Sequence, residues 1–241
     1  MQDITNNTSK SVAGRLSKKT IMVFSPHPDD ETLGCGGTIM KKVTGDYNVF
    51  IVEMTDGKHA LSKEFGILRN PSPQEVKHIR RNETLRAMTI LGVPIENVIF
   101  LNFEDGMLAN FEAEARAKVS EILDRIRPEE VYYPFKKDHH TDHIITNKIV
   151  RQFVETASFP ISGYQYSIFQ RFSRVATFIT RNLTFPRTKI FSVDISVFVQ
   201  QKLAAINEFK SQTEVISTEQ KWPVLRDVSR FLDKRELFYL A

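Results

Sequence analysis

Four short apolar runs, each followed by a stretch of helical pattern, organise this chain from Thr20 to Ala157. They are Thr20–Ser25, Asn48–Met54, Asn97–Leu101 and Val131–Tyr133. Each is too short for a buried helix. A strand that hands on to a helix before the next strand is the unit of a parallel sheet, because parallel neighbours need a crossover. The helices expected between them end near Thr44–Gly45 or span Ser72–Leu91, Glu112–Arg127 and Asp142–Ala157. Ser72–Leu91 has the clearest ends. Ser72 and Glu75 have capping-box spacing, Pro73 suits the first helical position, and Gly92 with Pro94 stops the run. The last third is less regular, with strands expected at Tyr164–Phe169 and Lys189–Ile195 and helices at Ser196–Ser211 and Leu225–Leu237. The expected fold is α/β: a mainly parallel sheet flanked by helices, with a smaller, less regular C-terminal part. Residues 20–241 read as one domain behind a flexible, polar N-terminal arm, 1–19.

Composition removes several function classes. A hydrophobic fraction of 41% with 26% charged residues is that of a globular chain and argues against disorder. The formal net charge of +4 is too small to point to nucleic acid. One cysteine, Cys35, forms no disulfide framework and reads as a small buried residue. No run is long enough to span a membrane and the arm lacks the apolar stretch of a signal peptide, so a cytoplasmic protein is expected.

Chemistry concentrates where two strands end. The first runs into Ser25-Pro26-His27-Pro28-Asp29-Asp30-Glu31. Three acidic residues in succession repel one another unless something positive is near, and a bound cation offsets that repulsion far better than a helix N-terminus does. His27 and Asp30, three apart, can turn toward one point while Asp29 faces elsewhere. The fourth strand runs into Lys137-Asp138-His139-His140-Thr141-Asp142-His143, which holds three of the chain's 6 histidines. In open α/β sheets ligands bind beyond the carboxyl ends of the strands. Imidazole and carboxylate together are the donor set of a hydrolytic zinc site.

These two motifs resemble those of the LmbE-like, or PIG-L, N-acetylglucosamine deacetylase family: His27-Pro28-Asp29-Asp30-Glu31 with Gly34-Cys35-Gly36-Gly37, and His140-Thr141-Asp142-His143. Weaker collinear matches run from Arg80-Arg81-Asn82-Glu83 through Leu101–Gly106 to Ser211-Gln212. The resemblance implies a Rossmann-like fold with one zinc, another first-row divalent metal being the alternative. It implies His27, Asp30 and His143 as metal ligands, Asp29 as general base and His140 as the residue that steadies the tetrahedral intermediate. It implies Arg80 as a substrate-binding residue and, by a looser match, Asp105 as a substrate contact.

The residues support that chemistry in outline. Asp29 can take a proton from water, and the acetyl oxygen can rest against the metal and a protonated His140. Asp142 either orients that imidazole or caps its helix; the sequence leaves both open. The expected reaction is hydrolysis of the N-acetyl group of a free, oligomeric, nucleotide- or lipid-linked amino sugar. The alternatives are a zinc amidase acting on another amide, such as a thiol conjugate, and a non-catalytic metal- or nucleotide-binding protein. Trp222, Pro223 and Leu225 read as tail packing rather than a sugar platform. Finally, residues 156–193 lack Asp and Glu and carry Arg171, Arg174 and Arg181 beside aromatics, the pattern of a lid or of a peripheral contact with an anionic membrane or lipid-linked substrate.

Overall fold

The computed structural model describes residues 18–61, 70–168 and 189–240. Most of the expected lid or membrane segment, including Arg171, Arg174 and Arg181, lies outside these residues, as does nearly all of the N-terminal arm.

Seven strands form one sheet: β1 (Thr20–Ser25), β2 (Asn48–Thr55), β3 (Val98–Phe103), β4 (Glu130–Pro134), β5 (Ser162–Tyr166), β6 (Ile190–Asp194) and β7 (Arg235–Leu240). Their order is β3-β2-β1-β4-β5-β7-β6. The first five in that order are parallel to one another, and β7 runs antiparallel to both β5 and β6. The helices that lie wholly within the described residues are α1 (Asp30–Thr44), α2 (Pro73–Leu91), α3 (Glu112–Ile126), α4 (Thr141–Thr156), α5 (Val199–Ile206) and the single turn α6 (Lys210–Thr213).

β1 shows why the sheet is covered on both sides. Ile21 and Val23 pack into one cluster with Ile39 of α1, Met88 of α2 and Ala205 of α5. Met22 and Phe24, pointing the other way, pack with Val119 of α3 and Val150 of α4. A strand buried on both faces has to read as a continuous apolar run, and this one does. α2 has the ends its sequence dictates. Glu75 accepts from the Ser72 amide at 2.8 Å, the Ser72 hydroxyl accepts from the Glu75 amide at 3.4 Å, and Gly92 stops the helix at φ 79.

Two expectations fail. Leu225–Leu237 is not a helix. It holds a 3-10 turn, Ser229–Phe231, and then enters β7. The strand wins because β5 and β6 offer ladders on both sides and because Glu236 and Phe238 turn inward from it. Ser196–Ser211 is broken into α5 and α6, since the backbone leaves the helix at Phe209 (φ −81, ψ 63) to bury that ring completely. Cys35 is buried, as expected.

The chain crosses from one half of the sheet to the other between β3 and β4, so β1 and β4 are neighbours whose connections leave in opposite directions. The crevice above their carboxyl ends is the switch point of an open sheet. Both histidine–carboxylate loops begin there.

Candidate active site

The β1 loop is held from three sides. Pro26 O accepts from the amide and the hydroxyl of Thr55, at the end of β2 (3.1 and 2.7 Å). Pro28 O accepts from the Arg80 guanidinium of α2. The Asp29 amide donates to Glu31 Oε2 at 3.1 Å. Held in this way, Asp29 adopts φ 133, ψ −28, a conformation that a non-glycine residue rarely takes. Such strain costs about 1–3 kcal/mol and persists where the surroundings over-determine it.

Three donor atoms then meet at nearly equal spacing. His27 Nδ1 lies 3.1 Å from Asp30 Oδ2, His143 Nε2 lies 3.1 Å from that same oxygen, and the two nitrogens are 3.2 Å apart. The outer nitrogens are tied to other carboxylates. His27 Nε2 faces Asp142 Oδ2 at 3.1 Å and Asp105 Oδ1 at 3.4 Å, and His143 Nδ1 faces Asp138 Oδ2 at 3.0 Å. A carboxylate on the outer nitrogen fixes the tautomer and turns the inner lone pair toward the centre, as in carboxylate–histidine–metal arrangements. Two inner nitrogens in contact cannot both carry protons, so the arrangement fits a cation between them.

The field favours positive charge at the same place. Burial works to lower the pKa of His27, but hydrogen bonds to Asp142 and Asp30 raise it to about 10. Burial likewise opposes His143, yet Asp30 and Asp138 lift it to about 9. Asp30, against its own burial, is held far below the usual carboxylate range by His143 and His27. The ligand atoms of His27, His140 and His143 also lie within 4.8 Å of one another, as do those of His27, Asp105 and Asp142.

Asp29 stands just outside the triangle. Its Oδ2 is 3.1 Å from Arg80 Nη2 in a buried ion pair. Burial raises its pKa well above the usual carboxylate range, and Arg80 works the other way. Arg80 is 3% exposed and also donates to Gly57 O at 3.3 Å. Gly57 (φ 62) leaves the room, for a Cβ there would lie 2.7 Å from Arg80 Nη1. Asp105 accepts from the His59 amide at 2.9 Å.

Asp142 does not cap its helix. Its carboxylate accepts from the amides of Gly106 and Leu108 (2.6 and 3.2 Å) as well as facing His27, so it pins the β3 loop to α4. The helix cap is His140, whose Nδ1 accepts the Asp142 amide at 3.2 Å. With Nδ1 accepting, the ring carries its proton on Nε2.

A cavity of about 230 Å³ opens over these groups, bounded by His27, Asp29, Asp30, Arg80, Asp105, His140 and His143. Gln212, Val224, Leu225, Arg230 and Phe231 also line it. Leu225 is therefore more than tail packing, and Arg230 and Phe231 were not found from the sequence at all. Asp138 was also missed as a support; its signal is its place five residues before His143.

Fold and site together define an open-sheet α/β protein with a His/Asp cluster suited to a metal at its switch point. Residues 22–154 match the PIG-L family, described as GlcNAc-PI de-N-acetylase, and the chain belongs to it. It is 27% identical to the 2'-N-acetylparomamine deacetylase of Streptomyces fradiae over 222 residues, 85% of this chain and 77% of that one. It is 26% identical to the diacetylchitobiose deacetylase of Thermococcus kodakarensis over 249 residues, 95% of this chain and 88% of that one. Among solved structures it resembles the N,N'-diacetylchitobiose deacetylase of Pyrococcus horikoshii in complex with its inhibitor MPG. That likeness has a TM-score of 0.69 at 25% identity and covers 93% of this chain and 84% of that one. The family and these relatives are deacetylases, and the chain is accordingly an amide hydrolase. No described helix is long and apolar enough to cross a membrane.

Proposed function

We propose that this chain hydrolyses the N-acetyl group of an N-acetylglucosamine-type amino sugar, with zinc held by His27, Asp30 and His143. The observation that carries the reading is the triangle of inward-facing donor atoms with the ion-paired Asp29 beside it. Two imidazoles and a carboxylate suit zinc among the first-row divalent metals. Zinc on three protein ligands leaves a position for water, lowers that water's pKa toward about 7 and polarises a carbonyl.

The chain's own groups do the rest. Asp29 accepts the proton of the attacking water. Its burial raises its proton affinity above that of a solvated carboxylate, the direction that suits a group that must take a proton. Arg80 fixes the direction of that carboxylate. His140 offers Nε2–H to the carbonyl oxygen as negative charge grows there. Asp142 and Asp138 hold the two ligand imidazoles, and Asp105, at the cavity edge, can take a sugar hydroxyl.

The test is an acetate-release screen over free, oligomeric, nucleotide-linked and lipid-linked N-acetylglucosamine and a thiol-conjugate amide, on chelated protein with and without added zinc. Zinc-dependent acetate release from at least one sugar is expected. Cleavage of the thiol conjugate with no acetate from any sugar overturns the substrate class.

A further inference from the structure

One turn beyond Arg80, α2 carries a second buried charged residue. Glu83 is 1% exposed, and both of its oxygens are taken by one residue of α6. Oε1 accepts from the Ser211 backbone N–H at 2.8 Å and Oε2 from the Ser211 hydroxyl at 2.6 Å. The Ser211 oxygen in turn accepts from Gln212 Nε2 at 3.0 Å. Gln212 is 3% exposed and lines the cavity above the His/Asp cluster. Its Oε1 receives no hydrogen bond from any described residue. Its backbone is fixed as well, because its N–H donates to Phe209 O and its carbonyl accepts from the Leu225 N–H, both at 2.8 Å.

The direction of these bonds follows from the groups themselves. A hydroxyl has one proton, and that of Ser211 goes to a carboxylate, which only accepts. The Ser211 oxygen is then an acceptor, so Gln212 has to turn its NH2 toward it. The two ends of a side-chain amide have nearly the same shape, and only such a network decides which end faces where. Here it leaves the carbonyl oxygen for the cavity. An acceptor in so buried a side chain is costly to leave without a donor, and a ligand that brings one is favoured over a ligand that does not. On an amino sugar whose acetamide occupies the His/Asp cluster, the donors that remain are hydroxyls.

We propose that Gln212 is a specificity-determining residue that accepts a hydrogen bond from a substrate hydroxyl, and that Glu83 and Ser211 are positioning residues that decide which end of its amide the substrate meets. The proposal deepens the functional reading and rests on the cavity holding an amino sugar.

Reversing the relay tests it. Glu83→Gln keeps the shape. The Ser211 backbone N–H still needs an acceptor, so the new amide gives its oxygen to that N–H and its NH2 to the Ser211 hydroxyl. The hydroxyl then donates to Gln212, whose amide turns over and shows the substrate an N–H. On the N-acetylglucosamine substrate that releases acetate fastest, KM should rise roughly 10–100-fold, with kcat and metal content near wild type. Adding Gln212→Glu to Glu83→Gln restores an acceptor on the cavity side and should bring KM back toward wild type, which a merely structural Glu83 would not allow. An unchanged KM in Glu83→Gln, or no recovery in the double variant, overturns the relay. If Glu83→Gln does not fold, Ser211→Ala, which frees the amide instead of reversing it, should raise KM less than Gln212→Ala does; an unmoved KM overturns the positioning role. With substrates lacking one hydroxyl each, wild type and Gln212→Ala should agree in KM for one of the set, and agreement for none overturns the hydroxyl contact. The nitrogen-15 resonance of the Gln212 side-chain amide, assigned as the signal lost in Gln212→Glu, should shift in Glu83→Gln. No shift overturns the relay. That spectrum needs no turnover, so the relay is decided even if no sugar amide is cleaved.

Discussion

The two sides of the cavity are built by different means. The side that holds His27, Asp29, Asp30, His140 and His143 is assembled from loops at the carboxyl ends of adjacent parallel strands, and each group is tied to a backbone amide, a second carboxylate or a guanidinium. The other side is lined by Gln212 and by one stretch of chain, Val224 to Phe231, with a 3-10 turn. Leu225 is anchored by its amide to Gln212 O at 2.8 Å, and Phe231 packs on Leu33 and Ile206. Groups that move protons have to be placed within about 0.5 Å, which regular elements and their supporting bonds can provide. A surface that only accommodates the rest of a substrate needs no such precision. On the proposed function, the chemistry belongs to the first side and most of substrate choice to the second, and variants on each side can break that division.

The largest effect belongs to the metal cluster. His143→Ala removes one corner of the triangle and should abolish both metal binding and turnover, as read by elemental analysis and acetate release. Full metal occupancy in this variant would falsify the place of His143 among the ligands. Next comes Asp29→Asn, which keeps the shape but cannot accept a proton at neutral pH. A kcat lower by roughly 10²–10⁴-fold with metal retained is expected. The same substitution leaves the buried Arg80 charge without its partner, and breaking a buried pair costs about 3–5 kcal/mol. Because Pro28 O and Gly57 O still accept from Arg80, the lower end of that range is expected in thermal unfolding. Metal lost in step with activity would make Asp29 a ligand.

The other side should respond differently. Arg230→Ala and Leu225→Ala change cavity lining outside the His/Asp cluster. They should alter KM and the ranking of acceptors in the acetate-release screen while kcat on the best substrate stays near wild type. A loss of kcat comparable to that of Asp29→Asn, with KM unmoved, would mean that the division between the two sides is wrong.

The same contrast explains what the sequence could reveal. β1 to β4 and the helices between them were legible because their signals are local: apolar runs buried on both faces, a capping box, a stopping glycine. The His/Asp cluster was legible because adjacent acidic residues and closely spaced histidines are strange material for strand-to-helix turns. β7 was not legible, since it exists by pairing with β5 and β6, which lie far earlier in the chain. Without those partners Leu225–Leu237 looks helical, and Leu225, Val228, Phe231 and Leu232 do cluster, around a turn instead of a helix. Arg230 and Phe231 were hidden for the same reason.

The smallest expected effect sharpens the comparison by testing whether stability and chemistry separate on an element that serves both. α2 delivers Arg80 to Asp29 from its interior, while its exposed N-terminus is closed by the Ser72–Glu75 capping box. Ser72→Ala removes the side-chain acceptor for the Glu75 amide and the hydroxyl that Glu75 Oε2 accepts from at 2.7 Å. The loss should be about 1 kcal/mol. For a chain of this size that lowers Tm by roughly 2–4 °C. Fraying is confined to the first turn, and Arg80 lies two turns further in, anchored by its own bonds to Pro28 O, Gly57 O and Asp29. Turnover per folded molecule should therefore be unchanged below the transition. A fall in kcat at temperatures where the variant is fully folded would show that the helix start and the ion pair are mechanically coupled. The chemical side of the cavity would then depend on more of the molecule than the ends of its strands.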